Sequence, residues 1–264
     1  MKFRFLSLLE KRKGIFKVLA ITVAFNNSEV ISAQIGHFFE HASDRHDFKL
    51  VVVDNSSSPS CAGSIKDICN KKNIDYYRVP KNPYTGLDPS KSHGYALNWA
   101  SRKVAHRYQS EWFGFLDHDI FLLGSLKDFL ANLTSTRVAY GVVNTKNEKW
   151  YFWPGFCFFK RSNIDARKLD FMPVPGLDTG GANWSVFYKD MDPSSYGVAK
   201  LRTIYPKNSK EKNKQRDAYE IVDNLWMHLI NASNWAGVDM QNKQQKLDTL
   251  VEKLTKDGER EENH

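Results

Sequence analysis

The chain has 264 residues, of which 41% are hydrophobic and 26% charged, so it is long enough to bury a sizeable core. No run of residues approaches the roughly 20 consecutive apolar positions that a membrane-spanning helix requires. The formal net charge of +8 favours anionic partners such as nucleotides, phospholipid, acidic glycans or nucleic acid, without choosing among them.

The basic residues do not form the pattern of a nucleic-acid surface. They cluster at residues 11–13, 71–72 and 207–214, and no basic stripe with interleaved aromatic residues stands out. A nucleic-acid partner is therefore not expected. Three cysteines without metal-type spacing favour a reducing, cytoplasmic setting.

Residues 1–16 form a basic, amphipathic N-terminal segment. The segment lacks the sustained apolar stretch and the small-residue cleavage site of a signal peptide. A surface helix is the simpler interpretation, and peripheral contact with the inner face of an anionic membrane stays open.

Strand and helix patterns alternate in the first half of the chain. In order, we predict a strand at 17–25, a helix capped by Ser28, a strand at 48–53, a helix at 64–72, a strand at 75–79, a helix at 90–108 and a strand at 111–116. Such alternation is typical of the α/β class, in which helices flank a mainly parallel sheet.

The pattern changes after residue 125. We predict strands at 138–144, 150–160 and 201–205, a Pro- and Gly-rich loop at 171–181, a helix at 182–191, and an amphipathic helix at 241–254 before a disordered tail. Residues 218–230 fit either a helix or a strand. The expected organisation is one domain over 17–237, followed by a C-terminal helical extension and tail over 238–264.

Asp117 and Asp119 flank His118 at the point where one apolar run stops and another begins. Isolated charges buried in so apolar a stretch would be very costly. Side chains two residues apart in a strand lie on the same face, so both carboxylates can converge on a divalent cation such as Mg²⁺ or Mn²⁺. The alternative interpretation is a turn that carries two solvated acids.

Polar residues follow three of the predicted strands, at 26–27, 54–55 and 117–119. Ligands of open parallel sheets bind at the carboxyl ends of the strands. If the sheet order brings these ends together, amides and carboxylates suited to a base, a ribose and a metal-bound diphosphate meet in one cleft. The three segments together predict a nucleotide-diphosphate site.

In order and spacing, five segments resemble nucleotide-sugar glycosyltransferases of the GT-A fold, and most closely glycosyltransferase family 2. They are VAFNN (23–27), VVVDNSS (51–57), GYALNWASR (94–102), FLDHDIFL (115–122) and WPGFCFFKR (153–161). The resemblance covers residues 17–161 and thins beyond them. It implies a GT-A-like (Rossmann-like) mixed sheet.

The resemblance also implies roles for the residues at matching positions. Asp119 would coordinate Mn²⁺ or Mg²⁺ and the donor diphosphate, and His228 would be a late further ligand or, alternatively, an ordinary core residue. The GYALNWASR segment lacks the Arg-Asn pair common in relatives, which leaves Lys91 or His93 to supply positive charge. The residues that would contact the nucleotide are Phe25, Asn26, Asp54, Asn98 and Asp117.

Asp178, in the sequence GLDTGG, is the candidate general base of an inverting enzyme, because relatives carry a carboxylate on a loop after the Gly-containing strand. The alternative role for Asp178 is to cap a helix that starts near residue 183. Trp153, Gly155 and Trp235 are candidates to contact the donor sugar or the acceptor, although each tryptophan can also be a core residue.

The resemblance therefore implies a metal-dependent, hexosyltransferase-type glycosyltransferase of polysaccharide biosynthesis. The donor would be a nucleotide-diphosphate sugar, with UDP favoured, and the acceptor a glycan or a lipid-linked sugar. One alternative is a non-catalytic module that binds a nucleotide or a sugar. Another is a sugar-phosphate nucleotidyltransferase, which is disfavoured because residues 26–28 replace the Gly-rich phosphate loop expected there.

Overall fold

The computed structural model describes residues 16–42, 47–133, 138–205 and 218–229. The strands are β1 (Phe16–Ala24), β2 (Phe48–Asp54), β3 (Asp75–Arg78), β4 (Ser110–Asp117), β5 (Ile120–Leu122), β6 (Ala139–Lys146), β7 (Lys149–Lys160), β8 (Tyr196–Val198), β9 (Leu201–Ile204), β10 (Tyr219–Val222) and β11 (Trp226–His228). The α-helices are α1 (Ser28–His41), α2 (Pro59–Lys71), α3 (Pro89–Lys103), α4 (Lys127–Asn132) and α5 (Asn183–Val186).

The strands form two sheets. The central sheet has seven strands in the order β3-β2-β1-β4-β7-β6-β8, and four of its six pairings are parallel. The second sheet is antiparallel, with the order β5-β11-β10-β9. The predicted α/β class with a mainly parallel central sheet is confirmed, whereas the second sheet was not predicted.

β1 is apolar on both faces because helices cover both sides of the central sheet. Val18 and Ala20 are fully buried in the hydrophobic cluster that contains α1 and α2. Leu19 and Ile21, which point the other way, are fully buried in the cluster that contains α3. A near-continuous apolar run is the expected sequence of such a doubly covered strand.

Two helices begin at different residues from those predicted. The cap of α1 is Asn27 rather than Ser28, since the Asn27 side chain accepts a hydrogen bond from the backbone N–H of Val30 at 3.1 Å. α2 begins at Pro59, with Ser58 as its cap, because proline suits the first position of a helix, whose N–H has no partner inside the helix.

The segment that fitted either a helix or a strand is a β-hairpin. β10 and β11 pair in an antiparallel way, and both Asp223 and Asn224 between them have positive φ angles, of 53° and 56°. Two consecutive residues with left-handed (positive φ) backbone conformations are typical of the tight turns that join hairpin strands. Asp and Asn tolerate this conformation better than most residues.

The predicted helix at 182–191 is shorter in the structure, where only Asn183–Val186 are α-helical and Tyr188–Asp190 form a 3₁₀ turn. The N-terminal segment up to residue 15, the predicted helix at 241–254 and the tail lie outside the described residues. Among the helices that are described, none combines the length and the apolar character needed to cross a bilayer.

The contact between β4 and β7 leaves no space for a side chain at Gly114. A β-carbon there would collide with the ring of Phe158 and the carbonyl oxygen of Cys157. We expect Gly114→Ala to lower the free energy of unfolding by about 1–3 kcal/mol, measured by urea denaturation. Gly63→Ala is the matched control, because Gly63 is exposed on α2 with nothing near its added β-carbon, and this change should stabilise by about 0.5–1 kcal/mol. Equal unfolding midpoints for the two variants would contradict the packing argument.

Candidate active site

The sheet order brings the three predicted polar segments to one edge. β1 lies between β2 and β4, and the registers place Ala24 beside Asp54 and Val23 beside Asp117. The residues that follow these strands therefore meet at the carboxyl edge of the central sheet, where ligands of such sheets bind.

A cleft of about 530 Å³ opens at this edge. Its volume is within the range of small-molecule sites, which is about 300–1,000 Å³. The first turn of α3 forms one wall through Pro89 and Ser90. Six of the residues predicted from the sequence also line the cleft, namely Phe25, His93, Asp117, Asp119, Trp153 and Asp178.

Asp117 and Asp119 lie in the connection between the two sheets rather than along one strand. β4 of the central sheet ends at Asp117, residues 118–119 form a turn, and β5 of the second sheet begins at Ile120. The expected convergence of the two carboxylates on the cleft is thus produced by a turn, and the side-chain alternation of a strand is not its cause.

Buried polar contacts hold this turn in place. The side-chain Nε2 of Gln34 on α1 donates to the carbonyl oxygens of Asp117, at 2.8 Å, and of Ile120, at 2.9 Å. The buried ring of His118 lies on the other side, with Nδ1 3.1 Å from the carbonyl oxygen of Val23. Because both ends of the turn are fixed to neighbouring elements, its two aspartates have defined positions.

The second sheet brings His228 to Asp119. β11 pairs with β5 so that His228 lies opposite Ile120, and its Nε2 is 3.7 Å from Oδ1 of Asp119. The other ring nitrogen, Nδ1, is 2.7 Å from Oε2 of Glu220, which lies opposite His228 on β10. A chain of three polar side chains therefore runs from the cleft into the second sheet.

Burial dominates the electrostatics of Asp117. Burial raises the pKa of Asp117, His93 opposes this from 3.4 Å, and the charge of Asp119 adds to it. Burial alone would lower the pKa of His228, but Asp119 and Glu220 outweigh that effect and raise it. The site thus favours positive charge at His228, next to acids that would otherwise be poorly compensated.

These residues fit a divalent cation. Asp119 Oδ1 and His228 Nε2 are close enough to bind one ion, since ligand–ion distances are about 2.0–2.2 Å, and Asp117 interacts electrostatically with both residues. Glu220 accepts from Nδ1, which leaves Nε2 facing Asp119, an arrangement usual behind metal-binding histidines. A β-carbon at Gly155 would collide with Oδ2 of Asp117, so glycine keeps the space beside the acids open.

The predicted nucleotide residues Asn26 and Asp54 are largely engaged by the protein itself. Asn26 has a positive φ of 49°, and its side chain bonds to the hydroxyl of Ser57 and the N–H of Ser58. Asp54 is fully buried and accepts from Tyr76 Oη at 2.6 Å, among other protein groups. Neither residue belongs to the described lining of the cleft, and direct contact with a nucleotide stays a prediction.

Asn98 is in a similar position. It lies buried on α3, donates to Asp170 Oδ1 and accepts from the N–H of Phe171, both at 2.8 Å. These bonds attach α3 to the start of the Pro- and Gly-rich loop. The role of Asn98 in nucleotide binding stays a prediction, and its structural role is to place that loop.

Asp178 lies exposed at the cleft, on the loop that follows Phe171. The loop is closed on itself, because the N–H of Gly180 donates to the carbonyl oxygen of Phe171 at 2.8 Å. Oδ1 of Asp178 accepts from the hydroxyl of Ser90, at the start of α3, and from the N–H of Thr179. The alternative role as a helix cap is not seen, since the residue that precedes α5 is Ala182.

Trp153 and Gly155 lie together beside the aspartates. The Trp153 ring lines the cleft and packs on the ring of His228, with centroids 4.6 Å apart. Trp235 lies outside the described residues.

Sequence reasoning missed Glu220, Ser90, Asn144 and Tyr151. The last two line the cleft, Ser90 binds the candidate base, and Glu220 binds His228. Only Ser90 carried a usable signal, as a polar residue at the start of a predicted helix. The pairing of Glu220 with His228 depends on a hairpin register that the sequence did not define.

No protein-family model matches the sequence, and no match was found among curated proteins. Mannosyltransferase PcManGT from Pyrobaculum calidifontis, in complex with GDP-Man and Mn²⁺, is similar over 61% of this chain and 51% of its own, with 19% identity and a TM-score of 0.40. S. aureus TarS in complex with UDP is similar over 59% and 50%, with 16% identity and a TM-score of 0.42.

The galactosyltransferase LgtC, in complex with donor and acceptor sugar analogues, is similar over 69% of this chain and 73% of its own, with 14% identity and a TM-score of 0.44. This chain spans about half the length of PcManGT, and 30% of the longer TarS chain. Each of these three similarities has a sequence identity below 20% and a TM-score below 0.5.

Proposed function

We propose that the protein transfers a sugar from a nucleotide-diphosphate donor to a glycan or a lipid-linked acceptor, with a divalent cation in the cleft. The observation that carries this proposal is the convergence of Asp117, Asp119 and His228 at the carboxyl edge of the sheet. Asp117 and Asp119 line the cleft, and with the imidazole of His228, 3.7 Å from Asp119, they are suited to hold Mn²⁺ or Mg²⁺ together with phosphate oxygens. UDP is our preferred nucleotide on the sequence resemblance.

The opposite wall of the cleft suits the diphosphate. The N-terminus of the 15-residue helix α3 lines it, and the positive end of the helix dipole favours an anion there, whereas the N–H of Lys91 already donates to the capping carboxylate of Asp88. His93, on the same helix, faces Asp117 from 3.4 Å and can add positive charge. When bound, the cation would act as a Lewis acid that offsets charge on the leaving nucleotide diphosphate.

We propose that Asp178 acts on the acceptor. Its carboxylate is exposed at the cleft, where it can accept the proton of an acceptor hydroxyl as that oxygen attacks the sugar. The hydrogen bond from Ser90 fixes the orientation of the carboxylate. A general base in this position supports an inverting reaction.

The competing proposals make different demands on the site. A sugar-phosphate nucleotidyltransferase would need a phosphate loop after β1, where this chain has Phe25, Asn26 and Asn27. A non-catalytic module would bind the nucleotide sugar without turnover.

We also propose a cytoplasmic location, which follows from the nucleotide-sugar donor and the reduced cysteines expected from the sequence.

The first test is calorimetric titration of the protein with UDP, GDP and CDP, each with Mn²⁺ and with chelator. We expect one nucleotide to bind with Mn²⁺ and to lose at least about tenfold in affinity with chelator or in Asp119→Ala, since even an indirect change at a metal site has such an effect. The control is Asp190→Asn, because Asp190 is 80% exposed and distant from the cleft lining. If no nucleotide binds under any condition, the proposed donor site is wrong.

A second test replaces the candidate base with an isostere. Asp178→Asn keeps an oxygen that can accept from Ser90 and from the N–H of Thr179, so the loop should stay in place while the basic group is lost. We expect release of nucleotide diphosphate from the donor sugar to fall about 10²- to 10⁴-fold, with nucleotide affinity unchanged. Asp190→Asn again serves as the control. Full activity in Asp178→Asn would assign the base elsewhere.

A third test concerns Glu220 as the residue that positions His228. Glu220→Gln removes the negative charge behind the imidazole but keeps a hydrogen-bond acceptor of the same size. We expect the Mn²⁺ concentration for half-maximal nucleotide binding to rise roughly 10- to 100-fold. Nucleotide affinity in chelator should not change, which separates this effect from misfolding. Glu148→Gln, at an exposed hairpin turn, is the control. An unchanged Mn²⁺ dependence would contradict the role of Glu220.

A further inference from the structure

A second set of metal-type side chains lies on the last turns of α1, outside the candidate active site. His37, Glu40 and His41 are spaced i, i+3 and i+4, which places them on one face of a helix. One donor atom from each residue lies within 4.8 Å of the donor atoms of the other two. Across the ranges that the structure describes, this is the group of three histidine, cysteine or acidic side chains that meets that distance.

The cluster is remote from the cleft along the helix. α1 begins three residues after Phe25, which lines the cleft, and runs for 14 residues. At about 1.5 Å per residue, the helix spans roughly 20 Å. His41 is therefore at the end of α1 that is remote from the cleft. The next strand, β2, begins at Phe48, at the amino end of the strand and not at the carboxyl end where the cleft lies.

The two imidazole rings are already arranged side by side. Their centroids are 5.9 Å apart, with a 20° angle between the ring planes. Phe121 of β5 packs its ring edge-on against His37, with centroids 5.6 Å apart, and so limits the rotation of that ring. Side chains held in this way lose little conformational freedom when they bind an ion.

His41 has a ring nitrogen available to bind an ion. Its Nε2 is shielded from solvent and has no hydrogen-bond partner among the described residues, which is unfavourable for a buried polar atom. A histidine in the last turn of a helix, such as His41, can interact favourably with the helix dipole. This interaction does not explain why a second imidazole and a carboxylate lie beside His41.

We propose that His37, Glu40 and His41 bind a zinc-class divalent ion. Two imidazole nitrogens and one carboxylate oxygen are a common three-ligand set for Zn²⁺, with the fourth position left to water. Histidines four residues apart on one helix face are a recurrent zinc-binding spacing. Glu40 is exposed, so an ion can enter from solvent. Nitrogen ligands favour Zn²⁺ over Mg²⁺ and Mn²⁺, which distinguishes this site from the one proposed in the cleft.

The bound ion would fix the last turn of α1. Because the three ligands come from successive helical turns, the ion can bind the folded helix but not the unfolded chain in the same geometry. Zn²⁺ should therefore raise the unfolding midpoint in a concentration-dependent way.

The test uses the untagged full chain with Asp119→Ala, which removes a ligand of the proposed cleft metal and so makes the two sites distinguishable. We expect calorimetry to show one Zn²⁺ bound per chain without nucleotide, and no comparable binding of Mg²⁺. Adding Glu40→Gln or His41→Ala should lower the Zn²⁺ affinity by more than about tenfold. Loss of a residue that only supports a metal ligand already lowers affinity roughly 10- to 100-fold, and loss of a ligand itself should cost at least as much.

The matched control is His106→Ala in the same Asp119→Ala background, since His106 is exposed and lies in a separate 3₁₀ turn. Zn²⁺ affinity and the Zn²⁺-dependent rise in unfolding temperature should persist in the control. Glu40→Gln changes an exposed side chain and keeps its size, so it should fold even if His41→Ala does not. The proposal is overturned if Asp119→Ala binds no Zn²⁺, or if Glu40→Gln binds it as tightly as the control.

Discussion

The carboxylates of half-buried Asp117 and buried Asp119 must be balanced by positive charge, and much of the described structure contributes to that balance. The pair lies in the turn that leaves the central sheet and enters the second sheet, so each sheet delivers a compensating group. α3, which covers the central sheet, supplies His93 near Asp117, and β11 of the second sheet supplies His228 near Asp119. Either a protonated His228 or a divalent cation can satisfy these acids, and the raised pKa of His228 reflects that demand.

The second sheet contributes to this charge balance by orienting His228. A histidine can bind an ion only if its ring is oriented, and the antiparallel pairing of β10 with β11 places Glu220 directly behind His228. The pairing of β11 with β5 then fixes His228 beside the turn, because Ile120 follows Asp119 by a single residue. The small sheet thus positions a ligand in the way that an outer hydrogen-bonding partner does in metal sites generally.

The features that could be predicted from the sequence were those that depend on residues close together along the chain. The apolar run of β1 and the polar segments at 26–27, 54–55 and 117–119 predicted three strand ends near one another, and the structure brings them together. Register between distant segments could not be read, so the partner of His228 was missed. The full burial of Asp54 was also not foreseen, since it depends on Tyr76 from the neighbouring strand. The Asp223-Asn224 turn was a local hairpin signal and could have been used.

Helix α1 connects the two ion sites considered above. Gln34, His37 and His41 are spaced three and four residues apart, so they share one face of the helix, toward β5. Gln34 holds the aspartate turn by two hydrogen bonds, and His37 packs on Phe121, which lies in β5 directly after that turn. An ion at the far end of α1 would therefore fix the same helix that positions the acids of the cleft. The two sites differ in ligand chemistry but depend on one contact between α1 and the second sheet.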